Sequence, residues 1–356
     1  MNPLRIGILG QGRSGWSIHA HLVRQLPELF TLAAVADPMR ERREEAVRET
    51  GCAAYADYRG LLKRDDLDLV VNALASHLHV PVTKEAFRAG HAVLCEKPLA
   101  RRAKDVDDLV RLAKKENRFF AVFQQSRFAP YFRKAREIVE SGVLGRVVML
   151  KIAFNGFARR WDWQTLQENM AGNLLNTGPH PLDQALQFFG ADQMPKVFCL
   201  MDRANTLGDA EDHVKMILHG KGRPTVDLEI SSCCAYPLYT YQIYGTRGGL
   251  TGNTQHLEWK YFAPKEAPKQ RLRRRPTEAR AYCGEKLLWH TGVWDATAEE
   301  KNLFDYMGLR FYRNLHAALT RRAPLEVSLA QVRQQIAVIE ECHRQCPLPR
   351  LSARRK

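Results

Sequence analysis

The chain has 356 residues, more than the roughly 100 to 200 that one domain usually holds, so two packed domains are expected. With 45% hydrophobic and 26% charged residues, wholesale disorder is excluded. No apolar run reaches the length of about 18 residues that a membrane-spanning helix needs.

The net charge of +15 is concentrated rather than spread: residues 263–280 carry +5 and residues 350–356 carry +4. Neither segment interleaves aromatic side chains with its basic ones, as a strand-binding groove does, so both read as solvated segments and no nucleic acid or membrane partner is expected. The eight cysteines form no C-x-x-C pair, and Cys342 and Cys346 have only His343 as a companion. Free thiols and no metal site are therefore expected. The N-terminus reaches an apolar run almost at once, leaving no room for a signal peptide, and a cytoplasmic protein is the expectation.

In chain order, short apolar runs at 6–9, 32–35, 69–71, 92–94 and 119–122 are separated by helical stretches. Continuous apolar runs suit strands covered on both faces, which is the pattern of a parallel sheet wound by helices. The first run leads directly into Gly10-Gln11-Gly12-Arg13-Ser14-Gly15 and then a helical stretch. In that context G-x-G-x-x-G is a dinucleotide fingerprint: its glycines allow a tight turn, close backbone approach to a pyrophosphate and close helix packing. Asp37 stands 22 residues past Gly15 at the end of the second run. A carboxylate there accepts ribose hydroxyls and repels a 2′-phosphate, so NAD is expected over NADP, with Arg40, Arg42 and Arg43 as the countervailing charges.

Past residue 122 the texture changes. Residues 130–141 read as a helix and 147–154 as a strand. Alternating stretches at 214–218, 226–230 and 239–244 suit an antiparallel sheet with one face covered, and two helices near 301–321 and 328–344 close the chain. The expected architecture is a Rossmann domain over 1–122, with a parallel doubly wound sheet, followed over 123–356 by an α+β domain for substrate and oligomerisation. That second domain is built on a large, mainly antiparallel, open-faced sheet.

Three segments then carry a resemblance: the glycine loop, Ala89-Gly90-His91-Ala92-Val93-Leu94-Cys95-Glu96-Lys97-Pro98-Leu99, and Gly172-Asn173-Leu174-Leu175-Asn176-Thr177-Gly178-Pro179-His180-Pro181-Leu182-Asp183. In this order they resemble the signatures of the glucose-fructose oxidoreductase and inositol dehydrogenase (Gfo/Idh/MocA) family, over nearly the whole chain. The resemblance implies that Lys97, beside Glu96, touches nicotinamide and substrate, and that Pro98 follows a cis bond. Position agrees, because ligands of parallel sheets gather beyond the carboxyl ends of strands. His180 is then the base that takes the hydroxyl proton while hydride leaves the same carbon, and Lys97 stabilises the developing charge.

Two departures stand out. Asn176 occupies a position where the family usually has Asp; it orients a hydroxyl or the imidazole without supplying charge. Ser76 replaces the usual asparagine of a stretch in which His79 still matches, so Ser76 and His79 remain candidate cofactor contacts. Asp183, a helical turn past His180, is a candidate for substrate or for His180. Arg159, Arg160, Trp161 and Trp163 follow the 147–154 strand, where the family places substrate contacts; indoles pack on sugar rings, and a pocket-facing arginine suits an acidic or phosphorylated sugar.

The reading is oxidation or reduction of a secondary alcohol on a sugar, polyol or cyclitol. Alternatives are glycoside cleavage with a cofactor that stays bound, and a decayed nicotinamide-sensing protein motivated by Asn176 and Ser76. A homodimer or homotetramer is expected, because an open sheet face is usually covered by another copy.

Overall fold

The computed structural model of the chain describes residues 2–190, 193–276 and 281–351. Its first sheet is built from β1 (Leu4–Leu9), β2 (Phe30–Ala36), β3 (Ala53–Tyr55), β4 (Leu69–Asn72), β5 (Val93–Cys95) and β6 (Phe120–Val122). All pair in parallel, in the order β3-β2-β1-β4-β5-β6. Five of these are the apolar runs of the sequence. They are buried almost end to end, because helices such as His79–Arg88 and Ala103–Lys115 cover the sheet. The short β3 has no fully buried residue and so leaves no apolar run to read. The order reverses between β1 and β4, the place at which open parallel sheets gather ligands beyond their strand ends.

The second sheet has eight strands: β7 (Val147–Asn155), β8 (Lys196–Asp202), β9 (His213–His219), β10 (Thr225–Ser231), β11 (Tyr241–Gly245), β12 (Gly248–Gly252), β13 (His256–Tyr261) and β14 (His290–Asp295). Their order is β14-β13-β12-β11-β7-β10-β9-β8. Every pair is antiparallel except β7 with β10. Burial alternates along β9 and β10, as one-sided coverage requires. The helix Pro179–Phe189 packs on the inner face beneath β7 and β10. The outer face presents Phe198, Leu200, Tyr244 and Val293, all exposed.

Strands β13 and β14 lie beyond the alternating stretches read from sequence, and the long connection between them carries the basic segment. Lys265, Lys269, Arg271, Arg273, Arg274 and Arg275 are exposed there, as a solvated run should be. Arg280, Arg354, Arg355 and Lys356 of the two basic segments lie outside the described residues. All eight cysteines are free. No group of three or more metal-type ligands occurs among the described residues, and no helix there is long and apolar enough to cross a membrane.

The two closing helices do not stay with the second sheet. Leu329–Gln345 packs between Ala103–Lys115 and β8, and Leu303–Arg321 lies across Gln125–Phe128 and the helix after the glycine loop. A cut at residue 122 therefore separates the sheets but not the packed bodies. The crossing is close at Gly308, where a Cβ would sit 2.4 Å from the Leu22 side chain. Gly308→Val should overpack this contact and lower unfolding free energy by about 1–3 kcal/mol. Urea denaturation of the two proteins measures it, and equal midpoints would show that the seam yields without strain.

Candidate functional site

The glycine loop begins where β1 ends. Gly10 has φ +85°, and a Cβ there would lie 2.8 Å from the Ala73 carbonyl oxygen; at Gly15 it would lie 1.7 Å from the Gly10 carbonyl oxygen. Those two glycines are demanded by the protein itself. Gly12 is not: the nearest atom to its added Cβ is the Arg42 guanidinium at 3.8 Å. That open space is what the backbone needs to approach a pyrophosphate, so the loop fits a dinucleotide. Arg13 is exposed and Ser14 half-buried. Gln11 turns inward, its side-chain amide donating to the Gly10 and Ile8 carbonyls.

Asp37 is buried at the end of β2. One carboxylate oxygen accepts the Gln11 N–H at 2.7 Å and the other the Met39 N–H at 2.9 Å, which fixes the carboxylate against the glycine loop. Arg43 donates to the Asp37 and Pro38 carbonyls, Arg40 pairs with Glu44, and Arg42 leans on Asp37 at 3.4 Å.

Lys97 follows β5, across a Lys97–Pro98 bond that is cis. Its ammonium donates to the Asn176 carbonyl oxygen at 3.0 Å. Burial pulls the ammonium below the ordinary lysine range, Glu96 works against that shift and Arg13 adds to it. Glu96 is itself buried. One of its oxygens accepts the Lys97 N–H at 2.9 Å, and the other lies 3.2 Å from Nε2 of His19, whose Nδ1 is 2.7 Å from the Tyr312 hydroxyl. Burial pushes the Glu96 carboxyl up, but the His19 hydrogen bond and the charges of His19, Lys97 and His79 carry it down to about 2.

His180 opens the helix Pro179–Phe189, with its N–H bonded to the Thr177 carbonyl. Its Nδ1 is sealed from solvent and has no hydrogen-bond partner. Burial first, and the Lys97 charge second, lower its pKa to about 3 against the opposing pull of Glu96. The ring is therefore a neutral imidazole beside an ammonium. Asn176 reaches Lys97 through its main chain, while its side-chain amide donates to the Gln164 carbonyl at 3.2 Å. Asp and Asn share that carbonyl, so the departure at 176 leaves the contact with Lys97 untouched.

Two candidates are corrected. Asp183 is buried and forms a two-pronged ion pair with buried Arg127 at 2.6 and 2.7 Å. Both of its carboxylate oxygens are thus engaged by Arg127. Arg127 also donates to the Glu326 carbonyl and to Gln331, so the pair ties three segments together, and removing either partner would leave an uncompensated buried charge. His79 is buried with Nδ1 2.7 Å from the Pro98 carbonyl and Nε2 3.0 Å from the Leu74 carbonyl. Both ring nitrogens thus lie against main-chain carbonyls, one after β4 and one after β5. Ser76 is buried at the start of the single turn Ser76–Leu78, a turn that packs on Gln167–Asn169 of the second domain.

The segment after β7 divides in two. Arg160 is held by Asp162 and by the Gln164 side chain, and with Gln164 and Asn176 it lines one small cleft. Arg159, Trp161 and Trp163 are exposed, Trp161 at 76%. Sequence reasoning missed a cavity of about 590 Å³ lined by Asn155, Phe157, Asn173, Thr177, Ser231 and Tyr239, among others. None of its lining residues is charged, and Asn155, which lines it, has a buried side-chain oxygen without a partner. His19 and Tyr312 were missed as well; the only signal for His19 was a histidine on the inward face of the helix after the glycine loop.

The His180 shift has a consequence for stability. Its folded pKa lies below the unfolded value of 6.5, so the unfolded chain binds the proton first. The contribution is complete above pH 6.5 and is lost as pH falls toward 3. Between pH 7 and 5 the wild type should lose on the order of 1–2 kcal/mol more than His180→Gln. Urea unfolding at the two pH values tests this, and parallel losses would mean that the imidazole is not held neutral.

Comparison with known proteins gives the lineage. Residues 4–124 match the model of the oxidoreductase family with an NAD-binding Rossmann fold, and residues 132–251 match the GFO/IDH/MocA C-terminal domain. An uncharacterized oxidoreductase of Schizosaccharomyces pombe is 30% identical over 264 residues, 70% of each chain. A myo-inositol 2-dehydrogenase of Thermotoga maritima is 31% identical over 150 residues, 42% of this chain and 44% of its own. The WlbA dehydrogenase of Bordetella pertussis, solved with NADH and UDP-GlcNAcA, shares the fold with a TM-score of 0.78 at 19% identity, covering 97% of this chain and 95% of its own. With both of its domains matched and its ammonium and imidazole brought together between them, the chain belongs to the Gfo/Idh/MocA family of oxidoreductases.

Proposed function

We propose that the chain transfers hydride between NAD(H) and a secondary alcohol of a neutral sugar, polyol or cyclitol. The observation that carries this reading is the neutral His180 imidazole, with an unpartnered nitrogen, beside the Lys97 ammonium at the mouth of the dinucleotide crevice. Bound NAD supplies the hydride acceptor at C4 of its nicotinamide. His180 takes the hydroxyl proton without first having to lose one of its own. Lys97 stabilises the oxygen as negative charge develops on it. An anionic oxygen between the two also relieves the repulsion that Lys97 exerts on the protonated ring, so the pair favours the charge distribution of the transition state over that of the resting enzyme.

Asp37 argues for NAD over NADP. Its buried carboxylate faces the place of the adenosine ribose, and Arg40 and Arg43 are already engaged elsewhere. The uncharged cavity beside Thr177 suits hydroxyl groups, with Asn155 offering its free oxygen to a hydroxyl donor and Phe157 or Tyr239 offering an aromatic face. No lining cation is available for a phosphate or carboxylate at that end, and Arg160 is taken by Asp162. Against the decayed-sensor reading, the Lys97 contact with residue 176 runs through a main-chain carbonyl that Asp and Asn share. The free thiols suit a reducing, cytoplasmic setting.

Lys97→Met should lower kcat by about 10²–10³-fold while leaving NAD affinity, read by fluorescence titration, unchanged. Retained turnover would remove Lys97 from the reaction. NADH formed in steady state with a polyol panel supports net oxidation; product without NADH would favour glycoside cleavage. The apolar residues on the outer face of the second sheet favour a homodimer or homotetramer. Sedimentation should show it, and a single 40.7 kDa species would rule it out.

A further inference from the structure

Glu211, just before β9, is a buried carboxylate that the proposed reaction does not use. It stands directly behind the four-residue helical turn Asn173–Asn176. The turn's first two N–H groups both go to it: Asn173 donates to the Glu211 carbonyl at 2.8 Å, and Leu174 donates to its side-chain carboxylate at 3.0 Å. Gly172, just before the turn, has φ +105°, and a Cβ there would lie 2.4–2.6 Å from the atoms of the Glu211 carboxylate. The backbone has thus been opened to admit this side chain. At the other end of the turn, the Asn176 carbonyl accepts the Lys97 ammonium, and the next residue, Thr177, accepts the His180 N–H. One rigid step of about 6 Å, four residues at 1.5 Å each, therefore lies between Glu211 and the acceptor of Lys97.

A small polar cavity of about 10 Å³ adjoins the carboxylate, lined by Glu211, Asn173, Asn176, Gln164, Thr165 and Arg160 among others. That is room for roughly one water. No ion pair reaches Glu211 among the described residues. The charged and titratable groups around it come from several elements. Asp212 is beside it, with its own carboxylate already holding the N–H groups of Ala204, Asn205 and Thr206. Arg101 follows β5, with Arg350 and His343 beside it. Cys199 lies on β8, and Arg160 is across the cavity.

We propose that Glu211 is a positioning residue for the reaction: its carboxylate fixes the Asn173–Asn176 turn and thereby the place at which Lys97 and His180 meet the substrate. This rests on the oxidoreductase reading for its catalytic consequence, but its hold on the turn does not. Burial pushes the Glu211 carboxyl up to about 7; Asp212 adds to the shift, while the Leu174 N–H and Arg101 oppose it. A carboxylate accepts from an N–H more strongly than a carboxylic acid does, so the turn loosens as pH falls through neutrality.

The test measures two things in wild type, Glu211→Gln and Glu211→Ala. Hydrogen exchange of the segment 172–180, corrected for intrinsic rates, reports the hold on the turn without requiring turnover. In wild type protection should fall between pH 8 and 6; in Glu211→Gln that dependence should vanish, and in Glu211→Ala protection should be lost at both pH values. In turnover, Glu211→Gln should lose an acid limb near pH 7, and Glu211→Ala should lose about tenfold to a hundredfold in kcat with NAD affinity unchanged. Unchanged exchange in both variants overturns the proposal, and so does altered exchange with an unaltered pH profile and kcat. A wild type that turns over no alcohol would sink the oxidoreductase reading, while exchange alone would still decide whether Glu211 holds the turn.

Discussion

A half-buried ammonium at a seam between two sheets is the group on which the site depends. Lys97 has lost most of its water, and an ammonium in that position tends to shed its proton. Glu96 opposes that shift. That carboxylate is also buried and would prefer to be neutral, but His19 donates to it. Nε2 of His19 faces a group that only accepts, so the proton sits there and Nδ1 is left to meet the Tyr312 hydroxyl. One chain of hydrogen bonds thus runs from the helix Leu303–Arg321 through the helix after the glycine loop to the main chain of Lys97. Tyr312 comes from more than two hundred positions downstream of Lys97, so this set of contacts is complete only once the end of the chain has folded back onto the first sheet.

The same charge sets the behaviour of His180. The half-buried His180 has its pKa lowered by desolvation and by the neighbouring ammonium, and its sealed Nδ1 has no partner among the described residues. A buried polar atom without a partner is a cost for folding. Asn155 repeats the pattern at the wall of the neighbouring cavity. Other buried polar atoms without a partner among the described residues are scattered, on Gln11, Gln125, Gln187 and Gln334 for example, whereas the charged groups of Asp183, Arg127, Asp212 and Glu96 are paired or bonded.

What the sequence made legible follows from how local each signal is. The parallel sheet was readable because strands covered on both faces become continuous apolar runs, and the glycine loop because its turn and its close approach are requirements of neighbouring residues. Lys97 and His180 were readable as members of short motifs. β3, β13 and β14 were not, since β3 is short, β14 is an edge strand and β13 buries only Leu257, which leaves little apolar surface to enforce a pattern. Asp183 and His79 show the limit more sharply. Each stands at the motif position expected of a ligand contact, yet each is committed to a brace: one to Arg127, the other to two carbonyls. Spacing along a helix says which residues share a face, but not which distant group will fill the space opposite. Arg127, His19, Tyr312 and Glu211 belong to contacts that only the folded chain brings together.

The braces explain why so many polar side chains lie buried around one crevice. The glycine loop, the turn after β4, the cis bond after β5, the Asn173–Asn176 turn and the start of the helix Pro179–Phe189 are all irregular backbone, with N–H and carbonyl groups that no ladder satisfies. Asp37, His79, Glu96, Gln124 and Glu211 each bond to one or more of those main-chain groups. Gln124 is the plainest case: with Gln335 from the last helix it donates to the Pro179 carbonyl, both at 2.6 Å, immediately before the catalytic candidate His180. Side chains that satisfy backbone also fix its position, and a hydride-transfer site needs positions held to well under an ångström. Burial of these residues is therefore part of how the two halves of the site are kept in register, and the price is a set of carboxylates and imidazoles whose ionisation is tied to the integrity of the crevice.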